Sequence, residues 1–433
     1  MIKVIGGGLA GSECALQIAK RKIPVKLFEM RPSKMTEAHT TPYFGELVCS
    51  NSLGSEDLNS PSGLLKEELR ILGSFLIEIA KKTRVPAGLS LAVDRNLFPR
   101  EVTSALERNE FIERIVEEVQ EIPKDGIVII ATGPLTSEAM KKSILKLTGE
   151  KNLYFYDASS PIVTFSSINM EKAFFGSRYG KGGDDFINCP MTKEEYERFW
   201  RELIKGEKAY IHPFEKEIFF EGCLPIEEMG KRGFDTLRFG PLKPVGLRDK
   251  RTGEIPYAVV QLRRNDLKGE WYELVGFQSR LRWREQKRIF RMIPCLEKAE
   301  FVRFGKLHLN FYINSPSLLT PSLRLRKDER IIFAGQITGA EGYCENIATG
   351  LIAGLSAIAL LKGKEFSPPP PTTAIGSLCY AISNPEIKKF DPINFTFGLL
   401  PPLKEKVPKK YKKGMLAERA ISDLKKWIEN QMG

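Results

Sequence analysis

The amino-terminal segment constrains the fold most strongly, because it places a glycine-rich turn between an apolar strand and a helical pattern. Residues 2–5 (IKVI) are typical of a short buried strand, and the pattern SECALQIAKRK after the turn is typical of a helix. The turn consists of Gly6, Gly7, Gly8, Leu9, Ala10 and Gly11. This GxGxxG spacing predicts a Rossmann βαβ unit, in which the first glycine allows the tight turn, the second lets the backbone approach a pyrophosphate, and the third lets helix and strand pack closely.

An acidic residue follows at the distance that a dinucleotide site requires. The second predicted strand, PVKLFEM, contains Glu29, and a carboxylate at this position accepts a hydrogen bond from a ribose hydroxyl. Arg31 comes directly after this strand and is predicted to belong to the same site. A glycine-rich turn in another kind of α/β protein is the alternative, but the order of strand, turn, helix and carboxylate favours a nucleotide site.

Two later segments indicate which dinucleotide is bound. The apolar strand pattern IVIIATGP at 127–134 contains Thr132 and Gly133, and a strand, a glycine-rich loop and a long apolar helix follow at 329–361. The residues of this late loop that are expected to bind the cofactor are Gly335, Gln336, Gly339, Glu341 and Gly342. A nicotinamide dehydrogenase does not need this segment, so FAD is expected as the bound cofactor, in an α/β protein with a Rossmann-type FAD-binding domain.

The middle of the chain predicts an inserted α+β domain. From about Phe186 to Ser315 the pattern changes to short strands, turns and amphipathic helices such as KEEYERFWRELIK. We therefore expect an FAD-binding domain in two parts, 1–185 and 316–433, around a domain at 186–315. The later part of the insert interleaves cations with aromatic residues, as a nucleic-acid surface does, although a solvated helix face is the commoner explanation. These residues are Arg263, Arg264, Trp271, Tyr272, Phe277, Arg280, Arg282, Trp283, Arg284, Lys287, Arg288 and Arg291.

The carboxyl-terminal part is predicted to be a stiff connector followed by a basic tail. The connector SPPPPTTAIGSL at 367–378 is rich in proline, the run KEKVPKKYKK at 404–413 is basic, and the pattern AERAISDLKKWIENQ predicts a helix. A solvated tail is the usual reason for such a basic run, and RNA contact is the alternative.

Composition limits the kind of protein and its location. A formal net charge of +12 favours polyanionic partners such as nucleic acid, and a merely basic globular protein is the alternative. No apolar run was expected to be long enough to span a membrane, and the first predicted strand begins at Ile2, so we expect no secretion signal and a cytoplasmic location. The seven cysteines lack metal or redox spacing, which predicts free thiols and no metal site.

Strings along nearly the whole chain resemble one family, the folate- and FAD-dependent tRNA (uracil-5-)-methyltransferases, or TrmFO family. They are VIGGGLAGSE, LFEMRP, AHTT, ELVCSNSLGS, GLLKEELR, FFEGCLPIEEM, LRFGPLKPVGL, AVVQLR, VGFQSRL, EQKRIFRMIP, YINSP, GQITGAEGY and FGLLPPL. The sequence departs from the family pattern in two places. Residues between VGFQ and EQKR are richer in arginine, and Leu309, Asn310 and Phe311 follow His308 where a basic residue and a threonine are more typical.

The resemblance implies an activity, its co-substrates and a pair of cysteines. It implies methylation of uracil C5 in the tRNA T-loop, with methylenetetrahydrofolate as carbon donor, FAD as carrier and NAD(P)H as reductant. Uracil C5 is a poor nucleophile, so a thiolate must first add at C6. Cys223 and Cys49 lie in predicted loops where nearby cations could lower a thiol pKa, and by resemblance they are the functional pair, with attack assigned to Cys223 or, alternatively, to Cys49. The remaining cysteines are expected to be buried and inert.

Three other functions are weighed against this one. The related GidA flavoproteins, which modify wobble uridine, share the FAD domain but have a longer chain with a helical partner-binding region. A flavin disulfide reductase would need a redox-spaced cysteine pair near the first helix, and the sequence has none there. A basic flavoprotein that only binds or remodels tRNA would bind without turnover.

Overall fold

A computed structural model describes residues 1–150, 153–210 and 219–432. The strands are β1 (Ile2–Ile5), β2 (Val25–Glu29), β3 (Ser52–Ser55), β4 (Arg84–Val85), β5 (Ser90–Val93), β6 (Ile112–Val116), β7 (Ile127–Ile130), β8 (Leu153–Ala158), β9 (Ile162–Thr164), β10 (Phe174–Phe175), β11 (Phe186–Met191), β12 (Ala258–Arg264), β13 (Trp271–Leu274), β14 (Phe301–Arg303), β15 (Leu307–Tyr312), β16 (Arg324–Leu325) and β17 (Asp328–Phe333). The helices are α1 (Leu9–Ala19), α2 (Pro61–Ile71), α3 (Phe75–Lys82), α4 (Leu97–Glu107), α5 (Glu138–Thr148), α6 (Lys193–Lys205), α7 (Ile226–Lys231), α8 (Thr236–Phe239), α9 (Trp283–Phe290), α10 (Ser315–Leu318), α11 (Tyr343–Leu361), α12 (Ala374–Ile382) and α13 (Lys409–Met432).

The nucleotide-type sheet has the strand order β16-β17-β7-β1-β2-β6. Strand β1 lies between β7 and β2 and is parallel to both, and β17 continues the parallel part beyond β7. Parallel strands buried on both faces are expected to be apolar throughout; IVII meets that condition, and IKVI meets it except at Lys3, whose ammonium group pairs with Asp125. The predicted Rossmann-type α/β fold is therefore confirmed, with the glycine-rich turn at the carboxyl end of the central strand.

A second sheet of antiparallel strands has the order β10-β11-β12-β13-β9-β14. Helix α6 packs on it and begins with a capping box, in which Thr192 and Glu195 bond each other's backbone N–H groups. This sheet begins before residue 186, because β9 pairs with β13 and β14. The division of the chain at 186 and 315 stays a prediction, and β9 should be counted with the insert.

Two sequence-based expectations were wrong. Cys189 and Cys295 form a disulfide between β11 and the turn after α9, although free thiols were expected. The fold brings their Cα atoms to 5.8 Å from positions 106 residues apart, a pairing that no local spacing indicates. Among the described residues, α11 is long and apolar enough to cross a membrane, contrary to the expectation that no segment would be. Since 83% of its apolar window is buried in the protein, its hydropathy is that of a core helix.

Helix α11 crosses α1 at close range because both helices have small residues at the crossing. A Cβ atom added at Gly350 would lie 2.3 Å from the backbone oxygen of Ala10, and one at Gly354 would lie 3.2 Å from that of Cys14. Side chains at these glycines would separate the two helices. The crossing holds the loop before α11 against the glycine-rich turn before α1, since Gly335 also approaches Ala10.

We expect Gly350→Ala to lower the free energy of unfolding by about 1–3 kcal/mol, because the added methyl group has no room beside Ala10. Chemical denaturation measures the effect. Gly414→Ala in α13 is the matched control, since its Cβ would meet only Asn59 at 3.5 Å and helix propensity alone should stabilise it by about 1 kcal/mol. Equal stabilisation of both variants would contradict the close crossing.

Candidate functional site: the dinucleotide cleft and the thiol pair

The glycine-rich turn has three different requirements for glycine. Gly6 has a φ of +102° and Gly11 approaches so closely that its Cβ would lie 1.9 Å from the Gly6 oxygen, so both are needed for packing and backbone shape. Gly8 differs, because a Cβ there would meet no protein atom within 4 Å and its φ of −73° suits any residue. The protein itself leaves the space above Gly8 open, which is what close approach of a ligand requires.

Glu29 is held at the end of β2 by the turn and by Arg31. The backbone N–H of Gly7 donates to Glu29 Oε2 at 2.8 Å, and Arg31 Nε donates to Glu29 Oε1 at 3.0 Å. Burial raises the pKa of Glu29, but the hydrogen bonds and charge of Arg31 outweigh it and hold that pKa below its ordinary value. Arg31 also pairs with Glu46 at 3.3 Å. Glu29 is therefore an ionised acceptor in a fixed position, as a ribose-binding carboxylate must be.

A cleft of about 970 Å³, open to solvent, extends from this turn along the carboxyl ends of the parallel strands. Most of the predicted cofactor residues line it, namely Gly6, Gly7, Gly8, Leu9, Ala10, Glu29, Arg31, Thr132, Gly133, Gly335 and Gln336. Gly11, Gly339, Glu341 and Gly342 do not line it. Glu341 is buried and accepts a hydrogen bond from Gln336, a residue that lines the cleft. The contacts of the predicted residues with a cofactor remain a prediction.

The cleft residues fit a flavin dinucleotide. The Oδ1 atom of Asn346 is buried without a hydrogen-bond partner in the described part of the chain, and this residue lines the cleft beside the late glycine-rich loop. A buried orphan acceptor points to a donor on a ligand, since buried polar groups are nearly always paired. Tyr343, His39 and Glu46 also line the cleft and were not predicted from the sequence. An aromatic residue directly after the loop GQITGAEG was the available signal for Tyr343.

The two cysteines singled out by resemblance lie together in the structure. The Cys49 thiol is close enough to change the pKa of the Cys223 thiol, and Cys49 Sγ donates to the Ala158 oxygen at 3.6 Å, at the end of β8. Cys223 is in a short 3₁₀ turn, Glu221–Cys223, that its backbone N–H closes onto Phe220. Both residues are only partly buried. Two segments far apart in the sequence thus bring the two thiols near each other.

Tyr343 joins the thiol pair to the dinucleotide cleft. Its hydroxyl accepts from the backbone N–H groups of Cys49 and Ser50 at 3.0 and 3.1 Å, and it donates to the Ser50 oxygen at 3.0 Å. Arg95 donates to the Cys49 oxygen at 2.8 Å, and Arg303 donates to the Val48 oxygen at 2.6 Å. The loop with Cys49 is therefore fixed from both sides, and the residue that fixes it is itself a wall of the cleft.

The electrostatic surroundings of Cys223 differ from the sequence-based expectation. Interaction with the Cys49 thiol, burial, and the nearby acidic groups of Asp157 and Glu341 all raise the pKa of the Cys223 thiol. The expectation that nearby cations would lower its pKa was wrong, because the loops that meet there supply carboxylates as well as arginines. Cys223 is therefore a neutral thiol in this arrangement and needs a base before it can attack.

The arginine-rich stretch is largely neutralised. Arg282 and Arg284 share Glu207, Arg288 pairs with Glu202 and Glu285, and Arg280 pairs with Glu228. The ring of Trp283 in this stretch is exposed to solvent: the residue is 59% exposed, and its ring stacks on that of Phe304 with 5.8 Å between the ring centroids. Among the described residues, Arg280, Arg282, Arg284 and Arg288 are paired with carboxylates, while the exposed Lys287 and the partly buried Arg291 have no carboxylate partner.

The position where the sequence departs from the family pattern lies next to the thiols. His308, Leu309, Asn310 and Phe311 are on β15, which pairs with the strand that contains Asp157. His308 Nε2 is 3.5 Å from Asp157 Oδ2 and makes no hydrogen bond in the described residues. Leu309, Asn310 and Phe311 thus lie on the strand that pairs with the strand containing Asp157.

Comparisons with known proteins agree with this architecture. A family model described as "Glucose inhibited division protein A" matches residues 1–365. The crystal structure of Aquifex aeolicus GidA superposes with a TM-score of 0.72 at 16% identity, covering 99% of this chain and 73% of that one, which supports the fold alone.

Several curated relatives are similar over their whole length. The chain is 54% identical to Methylenetetrahydrofolate–tRNA-(uracil-5-)-methyltransferase TrmFO of Natranaerobius thermophilus over 431 residues, covering 100% of both chains. It is 54% identical to the protein of that name from Thermotoga maritima, covering 99% of both chains, and 52% identical to that from Geobacter sulfurreducens, covering 99% of this chain and 98% of the relative. The match extends from the first strand through the carboxyl-terminal helix, so the family expected from the sequence motifs is confirmed and the chain belongs to the TrmFO family.

Proposed function

We propose that this chain transfers a one-carbon unit from methylenetetrahydrofolate to C5 of a uracil in tRNA, with FAD as its resident cofactor. The observation that supports it best is the proximity of Cys49 and Cys223 at a loop that Tyr343 fixes to the dinucleotide cleft. The full-length similarity to relatives named for this reaction supports the same activity.

Different residues along the cleft suit the pyrophosphate, the ribose and the flavin of the cofactor. The open backbone at Gly8 and the amino end of α1 would hold the pyrophosphate, Glu29 a ribose, and the loop at Gly335 with Asn346 the flavin end. When bound, FAD supplies the reducing electron pair and a ring nitrogen that accepts the one-carbon unit. We propose NAD(P)H as the reductant that restores it.

The protein's own chemistry is nucleophilic and acid–base. A thiolate adds to uracil C6, which raises electron density at C5, and after carbon transfer a base removes the C5 proton so that the sulfur can leave. We assign attack to Cys223 and proton removal to Cys49, and the reverse assignment is the alternative. Because the pKa of the Cys223 thiol is raised, a base other than Cys49 must take its proton before it attacks C6, so that Cys49 stays free to accept the C5 proton.

We propose the T-loop as the target segment and the insert as the surface that receives it. A uracil in a folded loop must leave its stack, and the exposed ring of Trp283 beside the basic residues of α9 provides a surface on which a base can stack. The cytoplasmic location expected from the sequence stays a prediction. A remodelling factor would use the same surface without the thiols.

The test is transfer of labelled carbon. Protein purified with its flavin, given methylenetetrahydrofolate labelled at the methylene carbon, NADPH or NADH, and a tRNA transcript, is expected to place the label on a T-loop uracil. Nucleoside digestion and mass spectrometry locate the labelled base. A transcript with cytidine at the target position is the control and should remain unlabelled. Tight binding of tRNA without label transfer would favour the remodelling function instead.

A further inference from the structure

Helix α13 begins with a concentration of lysines that the proposed reaction does not use. The ten residues 404–413 contain six lysines and one glutamate, a net +5 out of +12 for the whole chain. We call these six residues the lysine surface: Lys404, Lys406, Lys409, Lys410, Lys412 and Lys413. All six are exposed. A large share of the excess positive charge is therefore on one short segment.

The lysine surface lacks the neutralising partners that α9 has. In the part of the chain that the structure describes, none of its six lysines has a carboxylate oxygen within 4.0 Å. The arginines of α9, by contrast, are paired with Glu207, Glu202 and Glu285. Among the described cations of α9, only Lys287 is exposed without a carboxylate partner, whereas all six residues of the lysine surface are. An uncompensated cluster of this kind attracts polyanions.

The segment is held firmly on the protein. Leu416, Ala417, Ala420 and Leu424 of α13 are buried in the core that includes α1 and α2. Arg419 donates to the oxygens of Pro401 and Pro402, which ties the preceding residues to the same helix. The cations therefore sit on a fixed surface rather than on a free tail, and binding does not have to order the chain first.

The lysine surface is connected to the cofactor loop through a short segment. Lys413 lies 5.9 Å from the centre of the Phe397 ring, and two residues earlier the Phe395 N–H donates to Glu345. Asn394 donates to the oxygen of Glu341. The lysines thus flank the unit that contains the cleft, whereas Trp283 belongs to the insert.

We propose that the lysine surface binds backbone phosphates of tRNA and so provides a second RNA contact, in addition to the insert. This inference rests on the proposed function. Lysine is a point-charge partner for phosphate, and Tyr411, 58% exposed between lysines, offers a ring for stacking. A bilayer surface suits the segment less well, because the apolar face of α13 is already buried in the core.

The experiment compares the salt dependence of tRNA binding for two variants of equal charge. Replacing Lys409, Lys410, Lys412 and Lys413 with glutamine is expected to lower the slope of log affinity against log salt by about 3 to 4, at about 0.9 for each lost phosphate contact. The control variant replaces four exposed lysines elsewhere, Lys142, Lys146, Lys362 and Lys364, with glutamine. It should change the slope by less than about 1.

Each result has a distinct meaning. A raised KM for tRNA with kcat unchanged within about twofold is expected for the first variant, since its thiols and cleft are intact. Equal salt slopes for the wild type and the first variant, or equal decreases of the slope in both variants, would refute phosphate binding by the lysine surface. Neither result would affect label transfer by the wild type. If the first variant lost binding to anionic lipid vesicles but kept its tRNA affinity, the proposed tRNA contact would also be refuted. Absence of label transfer by the wild type would instead refute the proposed function.

Discussion

Replacing Cys223 with alanine is expected to lower label transfer to tRNA on the order of 10³-fold or more, because attack at uracil C6 starts the reaction. A tRNA with 5-fluorouridine at the target position should trap the attacking sulfur, since fluorine cannot leave as a proton does. The Cys223→Ala variant should then lose both turnover and adduct. Single-turnover label transfer and denaturing electrophoresis of the adduct measure the two effects.

The second thiol should behave differently. Cys49→Ala is expected to abolish turnover but to retain the adduct, because addition at C6 precedes loss of the C5 proton. Mass spectrometry of the cross-linked peptide identifies the attacker, and a peptide containing Cys49 would support the reverse assignment. Cys379→Ala is the matched control, a buried thiol outside the residues that line the cleft. An adduct on Cys14 or Cys344, or full activity of the Cys49→Ala, Cys223→Ala double variant, would contradict the site.

Replacing Gly8 with valine is expected to give a folded but colourless protein. The side chain would enter the open space above the turn without meeting a protein atom near its Cβ, so the fold should be unaffected, while close approach of a pyrophosphate is blocked. The dissociation constant for FAD should rise on the order of 10²-fold, which corresponds to about 2.7 kcal/mol. Flavin absorbance after purification and titration of the apoprotein with FAD measure it.

Two comparisons separate blocked binding from misfolding. The thermal midpoint of the Gly8→Val protein should match that of the wild-type apoprotein, because only the cofactor's contribution is lost. Gly398→Val, at an exposed glycine outside the residues that line the cleft, should keep the yellow colour. Undiminished flavin in the Gly8 variant would show that the pyrophosphate lies elsewhere.

The sequence predicted the parts of the fold that local pattern determines. The strand, turn and helix around Gly6 and Gly11, the strand ending at Glu29, and the apolar helix α11 follow from spacing and hydropathy within a few residues. Hydropathy could not show what surrounds α11, because protein and lipid select the same composition. Only packing against α1, which the glycines allow, identifies it as a core helix.

The parts that were missed depend on contacts between distant residues. Cys189 and Cys295 meet only because the second sheet and the turn after α9 pack together, and Arg282 finds Glu207 at the end of a separate helix. The pKa of Cys223 is raised by side chains from three other segments, including Asp157 and Glu341. Family resemblance supplied the identity of the two thiols, but the raised pKa of Cys223 could be seen only in the structure.

The hydrogen bonds between Tyr343 and the loop with Cys49 have a consequence for biosynthesis. The loop with Cys49 is completed by a hydroxyl from a residue 294 positions later in the chain. At about 5–20 residues per second, the ribosome adds that residue roughly 15–60 s after the cysteine. During this interval the thiol is on a nascent chain whose partner sulfur and tyrosine are absent or not yet docked. The loop with Cys49 therefore takes up its folded position only after the start of α11 has been synthesised.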